Sequence, residues 1–170
     1  MIRLLTIIVV LLFFSLPIQA AKIVVEGEGY TSISPSMIKT ISTQASNGAY
    51  VEIPLRRPHA TTETGPSDTG NCIYKINITQ AGNYYFWART NWYDSCGNSF
   101  FVILDNKPAV VIGEDGTYSV WHWVKGPIFN LTTGTHTLRI QNREDGAKLD
   151  QFMLIDIARY VPVRVEQKTQ

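Results

Sequence analysis

Cys72-Ile73-Tyr74-Lys75-Ile76-Asn77-Ile78-Thr79, then Gln80-Ala81-Gly82, then Asn83-Tyr84-Tyr85-Phe86-Trp87-Ala88-Arg89-Thr90-Asn91, is the stretch that decides the fold. In the first run Cys72, Tyr74, Ile76 and Ile78 share one face, and Lys75, Asn77 and Thr79 share the other with Ile73. A period of two with one apolar side is a strand buried on one face and wet on the other. In the second run Tyr84, Phe86 and Ala88 alternate with Tyr85, Trp87 and Arg89, so one of the two sets is core. The intervening Gln-Ala-Gly supplies a turn.

The same punctuation continues outward in both directions. Short runs of Val, Ile, Tyr, Phe, Trp and Thr, broken by Gly, Pro, Asn and Asp, predict strands over residues 22–28, 49–53, 72–79, 83–91, 99–105, 109–112, 118–131 with a break, 135–142 and 149–159. Residues 37–41 are ambiguous. Asp105-Asn106-Lys107-Pro108, Gly126-Pro127 and Thr132-Thr133-Gly134 read as further turns. Pro127 has no N–H for a ladder, so the run around it bends or changes sheets. No amphipathic helix of useful length follows the N-terminal segment. The fold class is all-β, a two-sheet antiparallel β-sandwich of jelly-roll or immunoglobulin-like type.

A chain of 170 residues with 45% hydrophobic and 17% charged content can bury one core and is not disordered. Fifteen Lys+Arg against fourteen Asp+Glu give a formal charge of +1. No clustered basic face is visible, so nucleic acid is not an expected partner. Residues 1–21 read as a signal peptide: Arg3, an apolar run over 4–16, then Pro17-Ile18-Gln19-Ala20-Ala21 as the cleavage region. The run is shorter than the roughly 20 residues of a membrane span. Cleavage after Ala20 or Ala21 is the preferred reading, with an uncleaved N-terminal anchor as the alternative. No span remains after cleavage, and the mature domain covers 22–165, with 166–170 as a frayed tail. Export implies a secreted, periplasmic or cell-surface protein and an oxidising compartment, where Cys72 and Cys96 are expected to pair. Such a bridge would stabilise by about 3 kcal/mol on the loop-entropy model. The alternative is two unpaired thiols.

Antiparallel strands alternate direction, so loops separated by an even number of crossings fall at one end of a sandwich. Counting 118–131 as one crossing places the segments 54–71, 92–98, 113–117 and 143–148 together as a crown of long loops, where function gathers on rigid scaffolds. Cys72 and Cys96 become neighbours on this count. The crown holds Trp92, Tyr93, Asp94, Asn98, Glu114, Asp115, Arg143, Glu144, Asp145 and Lys148, with Trp121 at its rim. Aromatic rings beside amides and charges suit a sugar, whose CH-rich face stacks on a flat ring and whose hydroxyls need donors and acceptors. Trp92 with Tyr93 is the expected platform, the alternative being a loop anchor that folds onto the core. Trp123 is expected in the core, and Trp121 either in the core or at the site. Catalytic motifs are absent: His59, His122 and His136 lack metal spacing, and no nucleophile elbow or phosphate-cradling loop occurs. A carboxylate pair drawn from Glu114 or Asp115 with Glu144 or Asp145 is the remaining enzymatic route. Glu26 and Glu28 share one strand face and could hold Ca²⁺ with Asp150, or be a solvated strand end.

The chain resembles the carbohydrate-binding modules of families 6 and 35 and their galactose-binding-like jelly-roll relatives, from about Val25 to Ile157. The likeness rests on Val25-Glu26-Gly27-Glu28, on the strand from Ala81 to Arg89, on Gly134-Thr135-His136-Thr137-Leu138-Arg139-Ile140, and on the stretch from Arg143 to Asp150. The resemblance implies a non-catalytic sugar binder with structural calcium at Glu26, Glu28 and Asp150. It also implies an aromatic platform at Trp92 or Tyr93. Where family-6 members often place a sugar-binding Asn, this chain has Lys148, which donates to hydroxyls or to an acidic sugar. The expected ligand set is thus Trp92, Tyr93, Asn98, Trp121, Asp145 and Lys148, with a poly- or oligosaccharide as partner and an enzyme or cell-surface partner beside it. The rival functions are a cell-envelope protein-interaction or adhesion domain on the same fold, and a small glycan-active enzyme.

Overall fold

The computed structural model describes residues 20–56 and 68–168. Nearly all of the N-terminal signal segment, residues 57–67 of the long loop including His59, and the last two residues lie outside the described residues. Eleven strands form and no helix does among the described residues: β1 (Lys22–Glu26), β2 (Ser32–Ile33), β3 (Ile38–Ile41), β4 (Ala49–Glu52), β5 (Asn71–Ile78), β6 (Gly82–Asn91), β7 (Ser99–Leu104), β8 (Val110–Gly113), β9 (His122–Leu131), β10 (Gly134–Gln141) and β11 (Lys148–Ile155). One six-stranded sheet runs β3-β4-β11-β6-β9 with β1 paired to β11, and a five-stranded sheet runs β2-β5-β10-β7-β8. Every pairing is antiparallel. The all-β two-sheet sandwich read from the sequence is the fold observed. The ambiguous stretch is β3, and the two-residue β2 has too few residues to show a period.

The core lies between the sheets. Tyr74, Ile76 and Ile78 of β5 and Tyr84, Phe86 and Ala88 of β6 supply inward faces and are sealed from solvent. Phe152 stacks on Phe86 at 5.9 Å and meets Tyr74 edge-on at 4.9 Å. The Tyr74 hydroxyl donates to the Gly27 carbonyl at 2.6 Å, which satisfies a polar atom that would otherwise be orphaned in the interior. Side chains of this size each contribute about 1.5–3 kcal/mol on leaving water.

Four expectations need correction. Pro127 makes the irregularity expected of it, but it neither breaks β9 nor sends it to the other sheet. β9 is an edge strand paired only with β6, and the register slips between Tyr85 and Trp87, so the proline sits where no ladder donor is needed. The Cys72–Cys96 disulfide is not formed, and both thiols are free. Cys72 occupies the inward phase of β5 and is sealed in the core, where burial pushes its thiol pKa up to about 12, whereas Cys96 sits half-buried in a turn capped by Asp94. The tail does not fray at Glu166: its N–H donates to Gln151 Oε1 at 3.0 Å, its carbonyl accepts from Gln151 Nε2 at 2.9 Å, and its carboxylate takes Lys22 at 2.9 Å and the Tyr160 hydroxyl at 2.7 Å. Finally, Trp123 lies outside the main core. With Tyr85 and Tyr160 it packs against Val24, Trp87, Met153 and Ile155 on the outer face of the six-stranded sheet, and its indole N–H donates to the Arg164 carbonyl at 2.8 Å.

The turn after β7 is tied to β10 by an ionic contact. His136 Nδ1 lies 2.8 Å from Asp105 Oδ2, its Nε2 lies 3.0 Å from the Thr132 carbonyl, and Asp105 Oδ1 accepts the Thr137 N–H at 2.9 Å. The hydrogen bond to Asp105 raises the imidazole pKa against a smaller opposing effect of burial. Partial burial of Asp105 would raise its pKa, but the bonds from His136 and Thr137 outweigh it and the net shift is downward. The raised histidine stabilises below its unfolded value near 6.5 and loses that contribution as pH climbs through the folded value. The lowered aspartate stabilises above its unfolded value near 3.8 and loses it as pH falls. The pair therefore supports the fold most fully between those two values. In urea denaturation, the stability difference between wild type and His136→Gln should be largest near pH 5.5 and shrink by pH 8.5; a pH-independent difference would contradict this assignment.

Candidate functional site

On β4 Ala49 and Val51 point inward, as does Ile53 just after it, which sends Tyr50 and Glu52 to the outer face of the six-stranded sheet. Lys148, the first residue of β11, pairs with Glu52 on one side and Asn91 of β6 on the other, so all three share that outer face. Arg89, two residues before Asn91, shares it too. Trp121, just ahead of β9, reaches back across β6 and β11. Its ring centroid is 5.4 Å from that of Tyr50 in an edge-on contact, and the Arg89 guanidinium carbon lies 5.2 Å from the centroid of its ring. The Lys148 ammonium lies 5.7 Å from the Tyr50 ring centroid. Among the described residues neither the Lys148 ammonium nor the Asn91 amide has a hydrogen-bond or ion-pair partner. Glu52 Oε1 accepts the Thr40 hydroxyl at 2.5 Å. Burial and then the Glu52 charge raise the pKa of Tyr50, so its hydroxyl stays protonated. A half-buried indole, a phenol and four polar heads thus line one end of the sheet face.

Beneath this surface sits a buried ionic network. Asp150 is inaccessible at the point where β11 slips register against β6, and Arg89 binds its Oδ2. Its Oδ1 accepts the Ser46 N–H at 2.8 Å and the Ser46 hydroxyl at 3.1 Å. The same hydroxyl bonds Glu26, whose other oxygen accepts Gln151 Nε2 at 3.0 Å. Burial raises the pKa of Glu26, partly offset by these bonds. Glu28 accepts Asn47 Nδ2 at 2.8 Å through Oε1, while its Oε2 is shielded from solvent and has no partner. The expected calcium ligands are therefore neighbours: Glu26 and Asp150 meet at Ser46, and Glu28 holds the adjacent residue. Among the described residues no three His, Cys, Asp or Glu groups form a ready metal cage. The donors are all oxygen, and the orphaned Glu28 oxygen fits a hard cation.

The loop crown exists, but its residues are knitted together. Ile53 N–H donates to Ala147 O at 3.0 Å and Gly146 N–H donates back to Ile53 O at 2.7 Å, Tyr93 N–H donates to Gly97 O at 3.0 Å, and Ser119 N–H donates to Trp92 O at 2.7 Å. Glu144 accepts the Asn98 N–H at 3.0 Å and binds Arg143, which also pairs with Glu114 at 2.9 Å. Asp145 accepts the Arg56 N–H at 2.6 Å. Gly146 has φ +84, and a Cβ there would fall 2.7 Å from the Tyr93 Cβ, which shows how closely the loops approach.

The expected sugar platform is thereby overturned in part. Trp92 is 0% exposed, 5.4 Å from Phe100 between ring centroids, and offers no face to a ligand. Asn98 and Asp145 are buried as well, and Tyr93 packs against Gly146. Of the residues read from the sequence, the structure brings Trp121 and Lys148 together. It adds Tyr50, Arg89, Asn91 and Glu52, which sequence reasoning passed over. The signal for Tyr50 and Glu52 was the inward phase of Ala49, Val51 and Ile53. The acids weighed for catalysis are all engaged: Glu114 with Arg143, Asp115 with His122 at 2.8 Å and the Thr117 N–H at 3.0 Å, Glu144 with Arg143 and Asn98, and Asp145 with Arg56.

No protein-family model matches the sequence, and no curated protein does. Solved structures with the same fold do. A family 35 carbohydrate-binding module from Clostridium thermocellum is 17% identical with a TM-score of 0.59, the match covering 79% of this chain and 98% of that one. A mannanase from Podospora anserina that carries a family 35 module is 14% identical with a TM-score of 0.63, over 83% of this chain and 29% of that one. The C-terminal family 6 module of a marine laminarinase from Zobellia galactanivorans is 18% identical with a TM-score of 0.56, over 79% of this chain and 98% of that one. The chain shares the jelly-roll sandwich of these modules.

Proposed function

We propose that the chain is an exported, non-catalytic carbohydrate-binding module whose ligand lies on the outer face of the six-stranded sheet at its crown end. Trp121 is the stacking platform, with Arg89 against its ring and the exposed part of the indole turned to the sugar. Tyr50 closes one side, Lys148 and Asn91 donate to hydroxyls, and Glu52 accepts. The observation that carries this reading is the Trp121–Tyr50 pair at 5.4 Å beside a lysine that has no acidic partner among the described residues. A flat ring next to unspent donors is what a pyranose requires. The names of the modules that share the fold support the same substrate class. The engagement of Glu114, Asp115, Glu144 and Asp145 in structural bonds favours binding over hydrolysis. Residues 1–21, read as an export signal, would place the domain outside the cytoplasm, where polysaccharides are met.

Isothermal titration against a panel of oligosaccharides tests the site. The sugar that binds wild type should bind Trp121→Ala about 10- to 100-fold more weakly, the loss of one stacking ring being worth roughly 1–3 kcal/mol. Equal binding by both proteins would remove Trp121 from the site.

We further propose that Glu26, Glu28 and Asp150 hold a structural Ca²⁺ beside Ser46, which would tie β1, the loop before β4 and β11 together. A cation bound to the folded state alone stabilises by about 2.7 kcal/mol at one hundred times its dissociation constant. The melting temperature should rise in millimolar CaCl₂ relative to EGTA, and Glu28→Gln should blunt the difference. Identical melting in both solutions would dismiss the metal.

A further inference from the structure

The opposite sheet carries a second set of polar groups that the sugar site does not use. β10 is the middle strand of the five-stranded sheet, and Leu138 and Ile140 turn inward, leaving Thr137 and Arg139 on the outer face. Arg139 pairs with Ile73 of β5 on one side and Ile103 of β7 on the other, so both lateral neighbours are aliphatic. Among the described residues its guanidinium has no hydrogen-bond, ion-pair or ring partner. It opens into a groove of about 300 Å³ lined by Asn71, Ile73, Asp105, Asn106, Thr137 and Arg139.

The acid in that groove makes no ion pair with the arginine. Both oxygens of Asp105 are engaged, one with His136 at 2.8 Å and one with the Thr137 N–H at 2.9 Å. Lys75 stands at the same edge, its ammonium bonded to the Thr137 hydroxyl at 2.7 Å. The groove therefore presents a guanidinium without an ion-pair partner among the described residues, beside the aliphatic Ile73 and with the Asn106 and Asn71 side chains at its rim. A guanidinium fork matches a carboxylate or sulfate with two parallel bonds, which a point charge does not. The volume lies at the small end of the range for small-molecule sites, too little for a folded segment of polypeptide.

We propose that this groove is a second binding site, for a carboxylate- or sulfate-bearing sugar residue, in which Arg139 makes a bidentate pair with the anionic group and Asn71, Asn106 and Thr137 meet the hydroxyls. It stands on the sheet opposite Trp121, so the two sites fail separately.

Nitrogen-15 NMR titration of the full chain tests it with four probes: trigalacturonate, a sulfated carrageenan oligosaccharide, the neutral methyl ester of trigalacturonate, and sodium sulfate. At least one acidic oligosaccharide should shift the Arg139 side-chain N–H and the amides of Asn71 and Asn106, and the methyl ester should not. Arg139→Gln should weaken that binding about tenfold, Arg139→Lys should recover part of it, and Trp121→Ala should match wild type. Thermal melting confirms that each variant is folded. The proposal falls if neither acidic oligosaccharide perturbs these resonances, if the methyl ester does so equally, if Arg139→Gln binds as wild type does, or if sulfate ion alone saturates the site at the same concentration.

Discussion

The Asp150 carboxylate is the constraint on which the rest of the structure depends. It is a charge held entirely out of water in the middle of the central strand, and an unmatched charge there would cost several kcal/mol. Arg89 answers one oxygen and Ser46 answers the other twice. Each partner brings a different element with it: Arg89 fixes the end of β6, and Ser46 pins the loop before β4. Through the same hydroxyl Glu26 ties in β1. Arg89 then has only one place to put its guanidinium, and Trp121 lies against it. The aromatic surface at this end of the sheet is thus positioned by a buried ion pair rather than by packing alone.

That arrangement explains why unspent polar side chains remain on the sheet face and not among the loops. The loops do converge, but they meet through backbone bonds and through the buried carboxylates of Glu144 and Asp145, which close polar groups that would otherwise be stranded. A knot of this kind makes a rigid rim and leaves few side chains unspent. On the adjoining sheet face, the Lys148 ammonium and the Asn91 amide remain without hydrogen-bond or ion-pair partners among the described residues.

Much of this was legible in the alternation of single strands. The phase of 72–79 and of 83–91 identified both layers of the core, and it held the answer to two misreadings as well. Continued from Tyr84, Phe86, Ala88 and Thr90, the inward phase lands on Trp92, which is why that indole is sealed although it follows an asparagine and precedes polar residues. Cys72 shares the inward phase of Tyr74 and Ile76, so its thiol faces the core rather than a loop. Other features had no local signal. Trp121 finds Tyr50 across two intervening strands, Glu166 finds Gln151 and Lys22, and Arg139 is left alone only because Ile73 and Ile103 flank it in three dimensions. Contacts of that range are set by strand order, which a period of two does not encode.

The central claim, that sugar meets the indole at 121 while the one at 92 is walled into the interior, is open to one direct reading. The chain has four tryptophans, and their indole N–H resonances can be assigned by single substitutions. On saturation with the tightest-binding neutral oligosaccharide of a panel, the Trp121 resonance should move most and the Trp92 resonance should stay in place. A shift confined to Trp92, or none at Trp121 while binding is measurable, would contradict the account.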